Sequence, residues 1–107
     1  MNPCYQLTPQ AVADLVEIWH YTEAEWGEVQ ADHYTSEIER TIERLASGEL
    51  TGRPCARLMG MGEPALLYWR SGRHYIIHRL IDAGPLQVLT ILHSASQERL
   101  EAFLGVD

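Results

Sequence analysis

The segment from residue 70 to residue 94 constrains the fold more than any other part of the chain, because it places two tight turns between strand-like runs. Ser71-Gly72 is a two-residue hairpin signal, and residues 82–85 (Asp-Ala-Gly-Pro) form the second turn. These turns separate three predicted strands at residues 65–69, 73–81 and 86–93. The last run is almost continuously apolar, which is typical of a central strand buried on both faces. The second half of the chain is therefore predicted to form an antiparallel sheet.

Two helical patterns precede this sheet. Thr8 and Pro9 are a helix start, since threonine caps a helix and proline suits its first position. Gly27 is predicted to end this helix, and a second one is predicted to run from near Glu28 to Ser47-Gly48. Apolar spacing predicts the buried faces. That of the first helix contains Ala11, Val12, Leu15, Val16, Ile18, Trp19, Thr22 and Trp26. That of the second contains Ala31, Tyr34, Ile38, Thr41, Ile42 and Leu45.

Helices joined at a single glycine are expected to fold back as a hairpin, which still needs a sheet to cover its apolar face. Residues 4–7 alternate enough for a short edge strand. Residues 49–64 are predicted to be a loop with one short strand at 56–59, and residues 96–104 to be a short C-terminal helix. We therefore predict one α+β domain over residues 1–107, with an N-terminal helical hairpin packed on a small twisted antiparallel sheet.

The charge is unevenly distributed along the chain. The net charge is −7, and residues 1–50 contain ten acids but only two arginines. Residues 51–80 contain five arginines against one glutamate, and the chain has no lysine. The overall acidity argues against a protein that binds nucleic acid through its whole surface. Positive charge is instead concentrated on the predicted sheet.

Cofactor, metal and membrane functions receive no support from the sequence. Cys4 and Cys55 are far apart and the five histidines are scattered, so two free thiols are expected rather than a zinc site. No apolar run is long enough to span a membrane, and the N-terminus does not resemble a secretory signal. We expect a cytoplasmic protein without cofactor or metal.

The middle predicted strand mixes polar and apolar side chains on both faces. Alternation places His74, Ile76, His78 and Leu80 on one face and Tyr75, Ile77, Arg79 and Ile81 on the other. One of these faces must pack on the helices. A buried arginine needs a partner, so Arg79 either meets an acid of the helices or waits for a partner molecule. We favour the internal salt bridge.

No nucleophile motif or phosphate-binding loop stands out. Tyrosine, arginine and histidine are nevertheless sufficient in principle for metal-independent RNA cleavage, with proton transfer by two groups and charge stabilisation by arginine. The residue types permit this chemistry without arguing for it.

Several short motifs, in order, resemble a known family. They are L-T-P-x-A-x-x-D-L-x-x-I-W (residues 7–19), Y-T-x-x-x-W-G (21–27), Q-A-x-x-Y (30–34), L-A-S (45–47), G-R-P (52–54), G-R-H-Y-I-I-H-R (72–79) and V-L-T-I-L-H (88–93). Together they resemble the ParE branch of the RelE/ParE toxin superfamily, the toxins of bacterial type II toxin–antitoxin pairs. The resemblance covers nearly the whole chain.

This resemblance implies a RelE/ParE-like fold and a ParD-like antitoxin partner whose disordered C-terminal part folds along the toxin. It also implies a target, since ParE proteins poison DNA gyrase by trapping the cleaved DNA complex, whereas RelE relatives cut mRNA on the ribosome. The lack of lysine weakens the nuclease alternative. A third alternative is a detoxified subunit that only binds antitoxin. No direct sequence-specific binding of nucleic acid by this chain is expected.

The resemblance and the charge pattern together assign candidate residues. Target contact is assigned to Arg70, Arg73, Arg79 and His93. In the nuclease alternative the catalytic groups would be Arg73, Tyr75, Arg79 and His93. Antitoxin binding is assigned to the aromatic side chains Trp19, Trp26, Tyr68 and Trp69, with Tyr34 as a further candidate, because aromatic residues near arginines are common hot spots.

Overall fold

The computed structural model describes residues 5–55, 66–81 and 84–95, and these residues form two helices and five strands. In chain order they are β1 (Tyr5–Leu7), α1 (Pro9–Trp26), α2 (Glu28–Ser47), β2 (Arg53–Pro54), β3 (Leu67–Ser71), β4 (His74–Leu80) and β5 (Leu86–His93). The sheet order is β1-β5-β4-β3-β2. The predicted α+β class is confirmed. The sheet is mixed rather than wholly antiparallel, because β1 runs parallel to β5.

The helix boundaries follow the sequence signals. The Thr8 hydroxyl accepts a hydrogen bond from the Ala11 amide (3.1 Å), and Pro9 is the first helical residue. Gly27 has a φ of +94°, and it both donates to the Glu23 carbonyl and accepts from the Ala31 amide. One residue therefore ends α1 and starts α2, as predicted.

The main core lies between the helices and the sheet. Its buried members come from both helices and from β4 and β5: Ala11, Ile18, Ile38, Ile42, Leu45, Ile76, Leu86, Val88 and Ile91. A second cluster contains the buried Ile77 and Leu92 with Tyr68, Tyr75 and Leu89 packed around them. Because neighbouring strand residues point to opposite sides, these clusters mark two faces of the sheet. We call them the helix-facing side and the distal face.

The predicted buried face of α1 is only partly right. Val12, Val16 and Trp26 are 47%, 52% and 73% exposed, whereas Ala11 is buried as expected. The reason is geometric, since successive helical residues are about 100° apart and cannot all face one narrow contact strip. Asp14 occupies that strip instead, although nothing in the apolar pattern predicts a buried carboxylate there.

Asp14 is buried because it completes the edge of β5. Strand β1 pairs only with residues 86–88 of β5, so the next backbone groups need other partners. The Asp14 carboxylate accepts hydrogen bonds from the Ile91 amide (2.9 Å), the Thr90 hydroxyl (2.5 Å) and Gln10 (2.8 Å). Thr8 donates to the Leu89 carbonyl (2.6 Å). Side chains at the start of α1 thus bond the backbone groups of β5 that lie beyond the end of β1.

Other strand predictions differ by a few residues. Strand β3 covers 67–71 rather than 65–69, and the turn that follows it is at Gly72 and Arg73. Strand β2 lies within the predicted loop. The predicted strand at 56–59, the predicted helix at 96–104 and Cys4 lie outside the described residues.

Two further expectations concern Cys55 and the membrane. Cys55 is a buried free thiol as expected, and burial raises its pKa to about 11. Within the described ranges, no helix combines the length and the apolar character that a membrane span requires.

Candidate functional site

Arg70 lies near the end of β3 and Arg73 lies in the hairpin turn that follows it, and both are exposed. The Arg70 side chain donates from Nε to the Gly72 carbonyl (2.9 Å) and lies over the Tyr75 ring, 5.5 Å from its centroid. These contacts hold Arg70 along the distal face. The turn therefore presents two guanidinium groups to solvent.

Arg79 lies at the other end of β4. It is six residues from Arg73, or about 20 Å along an extended strand, so a single small contact surface does not include both. Its Nε donates to Gln87 Oε1 (2.7 Å) on the neighbouring strand. The expected salt bridge to a helix acid is wrong, because the described residues contain ion pairs only at Arg40–Glu37 and Arg44–Glu49.

His93 lies on the helix-facing side, where its ring meets that of His74 edge to face at 4.9 Å between centroids. Its Nδ1 accepts a hydrogen bond from the Ala95 amide (2.9 Å), which caps the end of β5. Tyr75 pairs with Leu92 and lies on the distal face. The sheet thus separates His93 from Tyr75 and Arg79, and the four residues of the nuclease alternative do not converge.

The four aromatic side chains assigned to antitoxin binding do not form one surface. Trp19 is half-buried and donates from its indole to Asp32 (2.8 Å), and Trp26 is exposed at the end of α1. Tyr68 packs near Tyr75 on the distal face, at 5.9 Å between ring centroids. Trp69 packs against the helix-facing core. Only a partner that wraps around the molecule can contact all four.

An open cleft runs from the end of β5 to the hairpin turn. Its inner part has a volume of about 330 Å³ and is lined by Asp14, Glu17, Ile18, Tyr21, His74, Ile91 and His93. Its outer part has a volume of about 690 Å³ and shares Tyr21, His74 and His93, with Glu25, Trp26, Tyr34 and Arg73 along its rim. Among the described residues, Arg73 is the only arginine in the two linings. The cleft joins one proposed target contact to a proposed antitoxin contact.

The inner part of the cleft combines two acidic side chains, Asp14 and Glu17, with the buried His74. Burial and the nearby His93 lower the pKa of His74 to about 4, and Asp14 opposes this only in part. His74 is therefore neutral near pH 7. Among the described residues no cluster of three or more histidine, cysteine or acidic side chains is arranged to hold a metal ion.

Sequence reasoning missed three residues of this cleft. The sequence assigns no role to Tyr21 or Asp14, and it places Tyr34 on the buried face of the second helix and among the candidate antitoxin contacts, without a link to the turn. The spacing of Tyr34 with Ile38 and Leu45 identified its side of α2, but no local signal pairs it with a turn almost forty residues later. Only the folded arrangement brings these positions together.

Comparisons with known proteins point to one family. A family model described as "ParE toxin of type II toxin-antitoxin system, parDE" matches residues 5–98. Toxin ParE1 of Mycobacterium tuberculosis is 33% identical over 93 residues, which cover 87% of this chain and 91% of that protein. Toxin ParE of Escherichia coli is 38% identical over 89 residues (83% and 82%). Toxin ParE1 of Caulobacter vibrioides is 33% identical over 105 residues (98% and 100%).

A solved structure agrees with the fold. The structure titled "Chromosomal ParDE TA system from P. aeruginosa" superposes with a TM-score of 0.67 at 19% identity. The match covers 84% of this chain and 94% of the other. It supports the predicted packing of a helical hairpin on a small sheet.

Proposed function

The chain belongs to the ParE toxin family of type II toxin–antitoxin systems, and we propose that it acts by binding and inhibiting DNA gyrase. In this proposal the bound toxin traps the cleaved gyrase–DNA complex in the cytoplasm, and a ParD-like antitoxin keeps it silent. Family membership supports the toxin role. The gyrase target is what the resemblance to ParE proteins implies.

The observation that favours binding over catalysis is the separation of the four candidate nuclease groups. A phosphate ester needs its acid, base and charge-stabilising groups within hydrogen-bond reach of one reacting centre. His93 lies on the helix-facing side, whereas Tyr75 and Arg79 lie on the distal face. We therefore propose a non-enzymatic inhibitor.

We propose that Arg70 and Arg73 are the main target contacts. Both are exposed at one turn, and a guanidinium suits carboxylate or phosphate groups of a gyrase–DNA complex. Arg79 and His93 were assigned to the same role. Their positions support a secondary contribution, since Arg79 is already bonded to Gln87 and His93 is half-buried.

For the antitoxin we propose an extended segment that wraps around the toxin. Trp26, which is 73% exposed, is the best-placed anchor among the four assigned aromatic residues. Trp19, Tyr68 and Trp69 are half-buried and offer part of their surface. A disordered segment that folds on binding can reach sites on different faces of a small domain.

The proposal is tested with purified antitoxin-free protein, gyrase, ATP and relaxed plasmid, by following supercoiling and trapped double-strand breaks. We expect Arg73→Ala to raise the half-inhibiting concentration by at least about tenfold, since losing one charged contact costs roughly 1.5–3 kcal/mol. Arg40→Ala is the matched control, because Arg40 is an exposed arginine on α2.

If the wild type inhibits gyrase and Arg73→Ala is as potent as Arg40→Ala, Arg73 is not part of the target surface. A well-folded wild type with no effect on gyrase at micromolar concentration would contradict the target itself. In that case mRNA cleavage or a silent antitoxin-binding role becomes the better hypothesis.

A further inference from the structure

The turn that carries Arg73 is held by a side chain from the distant helix α2. The Tyr34 hydroxyl accepts a hydrogen bond from the Arg73 backbone amide (3.0 Å) and contacts His74 Nδ1 (2.6 Å). An amide can only donate, so the hydroxyl hydrogen is free to point at the neutral imidazole. A single hydroxyl thus fixes two successive residues of the hairpin.

Gly72 shows how closely the turn approaches the Tyr34 ring. It has a φ of +60°, and a Cβ placed there would lie 2.8 Å from the Tyr34 hydroxyl oxygen and 2.9 Å from Cε1. Both the backbone conformation and the close contact favour glycine, since a side chain there would be strained and would displace the Tyr34 ring. The backbone of the turn therefore packs directly against the Tyr34 ring.

Two other contacts complete the restraint. The Ser94 amide donates to the Arg73 carbonyl (2.8 Å), and Arg70 Nε donates to the Gly72 carbonyl (2.9 Å). The backbone of Arg73 is thus bonded on both its amide and its carbonyl. An exposed two-residue turn is ordinarily mobile, but this one is restrained by α2, by the end of β5 and by Arg70.

We propose that Tyr34 is a positioning residue that holds the turn, and with it Arg70 and Arg73, in the conformation used for target contact. This inference rests on the proposed target role of these arginines. Tyr34 is half-buried and its hydroxyl is already shared between Arg73 and His74, so it acts through the turn. Preorganising a binding loop removes the entropy that the loop would otherwise lose on binding.

The test compares Tyr34→Phe with Thr35→Val. Tyr34→Phe removes only the hydroxyl and keeps the ring under Gly72. Thr35→Val removes a buried hydroxyl from the same helix, one that bonds only within α2 to the carbonyls of Ala31 (2.9 Å) and Asp32 (3.3 Å). We expect Tyr34→Phe to raise the half-inhibiting concentration about five- to tenfold, the value of one hydrogen bond, and Thr35→Val to leave it unchanged.

A second measurement separates positioning from stability. We expect the Gly72 and Arg73 amides to exchange faster and to show larger fast motions by ¹⁵N relaxation in Tyr34→Phe, but not in Thr35→Val. Equal potency of Tyr34→Phe and wild type would overturn the proposal. Unchanged exchange and relaxation at the turn would also overturn it.

The same variants also distinguish a wrong gyrase target from a wrong positioning role of Tyr34. If wild-type protein leaves supercoiling unaffected, the target is wrong, and the same variants are scored by growth arrest on induction without antitoxin. Arrest that is lost in Tyr34→Phe and kept in Thr35→Val supports positioning, whichever target is hit. Equal behaviour of the two variants, including no arrest by either, overturns it, and so does an unchanged turn in Tyr34→Phe.

Discussion

The two faces of β4 differ in how deeply they bury polar side chains. On the helix-facing side, His74 and His78 are buried with Ile76 between them. On the distal face, Tyr75 and Arg79 are half-buried on either side of the buried Ile77. Histidine can be buried in its neutral form, at a free-energy cost set by its pKa, but arginine stays protonated under all ordinary conditions. The strand therefore buries the histidines under the helices and leaves the arginine where water reaches it.

Each buried histidine has its own partner. His74 Nδ1 meets the Tyr34 hydroxyl at 2.6 Å, and His78 Nδ1 lies 2.9 Å from the Ile76 carbonyl. Among the described residues, no buried side-chain nitrogen or oxygen lacks a hydrogen-bond partner. The buried histidines of the helix-facing side thus have hydrogen-bond partners within an apolar core, whereas the arginines of the distal face contact Tyr75 and Gln87.

The strongest test of the difference between the two faces is to truncate Ile76 and Ile77, which are both 0% exposed and lie on opposite faces of β4. We expect Ile76→Ala to lower the free energy of unfolding by about 4 kcal/mol and Ile77→Ala by about 3 kcal/mol. Ile76 belongs to the larger cluster, where both helices limit collapse of the cavity. Urea denaturation measures both values, with Val29→Ala, an exposed site on α2, as the control. A larger loss for Ile77→Ala would reverse the assignment of the main core.

The second test is the dependence of stability on pH. The pKa of His74 is lowered from 6.5 to about 4 in the folded state, mainly by burial, so the unfolded chain binds its proton first as the pH falls. The contribution of the neutral His74 side chain to the free energy of unfolding is complete above about pH 6.5 and is lost progressively as the pH approaches 4. Burial also lowers the pKa of His78.

We expect His74 alone to account for about 2 kcal/mol of lost stability between pH 7.5 and pH 5.0. Urea denaturation of wild type and His74→Gln at both pH values measures it, because the decrease should be smaller by that amount in the variant. His33→Gln, an exposed position on α2, should keep the full decrease. An identical decrease in all three proteins would mean that His74 is not held neutral.

The smallest expected effect concerns the distal face. Arg70→Ala removes the contact with the Tyr75 ring and the bond to the Gly72 carbonyl, both of which are exposed to water. We expect a loss of about 0.5–1 kcal/mol in the free energy of unfolding, against less than about 0.5 kcal/mol for Arg40→Ala. Thermal denaturation with both variants in parallel resolves this difference. A loss above about 2 kcal/mol would show that Arg70 supports the fold and not only a surface.

Local signals predicted the helices well. Thr8, Pro9 and Gly27 act through their own backbone and nearest neighbours, so their effect is visible in the sequence. The hairpin turn was predicted one residue too early, because Ser71 still pairs with His74 and Gly72 takes the first turn position. In the folded chain Gly72 also lies against Tyr34, a contact that local turn preferences do not contain.

The candidate site was less predictable than the fold. The arginines were identified from charge and from the family motif, but not the separation of Arg79 from Arg73 or the side of the sheet on which each group lies. Asp14 gave no signal at all, since its burial depends on the unpaired edge of β5 beyond a three-residue β1.

The sequence by itself determined two capped helices joined at one glycine, an apolar last strand, an arginine-bearing hairpin and the family. The helices, the strand and the hairpin follow from backbone preferences and periodicity, which act over a few residues, and the family was indicated by the resemblance of the ordered motifs. Only the tertiary structure decided which face of β4 is buried, that β1 runs parallel to β5, and that Tyr34 meets the hairpin turn. Those outcomes depend on burial and hydrogen-bond satisfaction between segments dozens of residues apart, where each group's partner is defined only once the chain has folded.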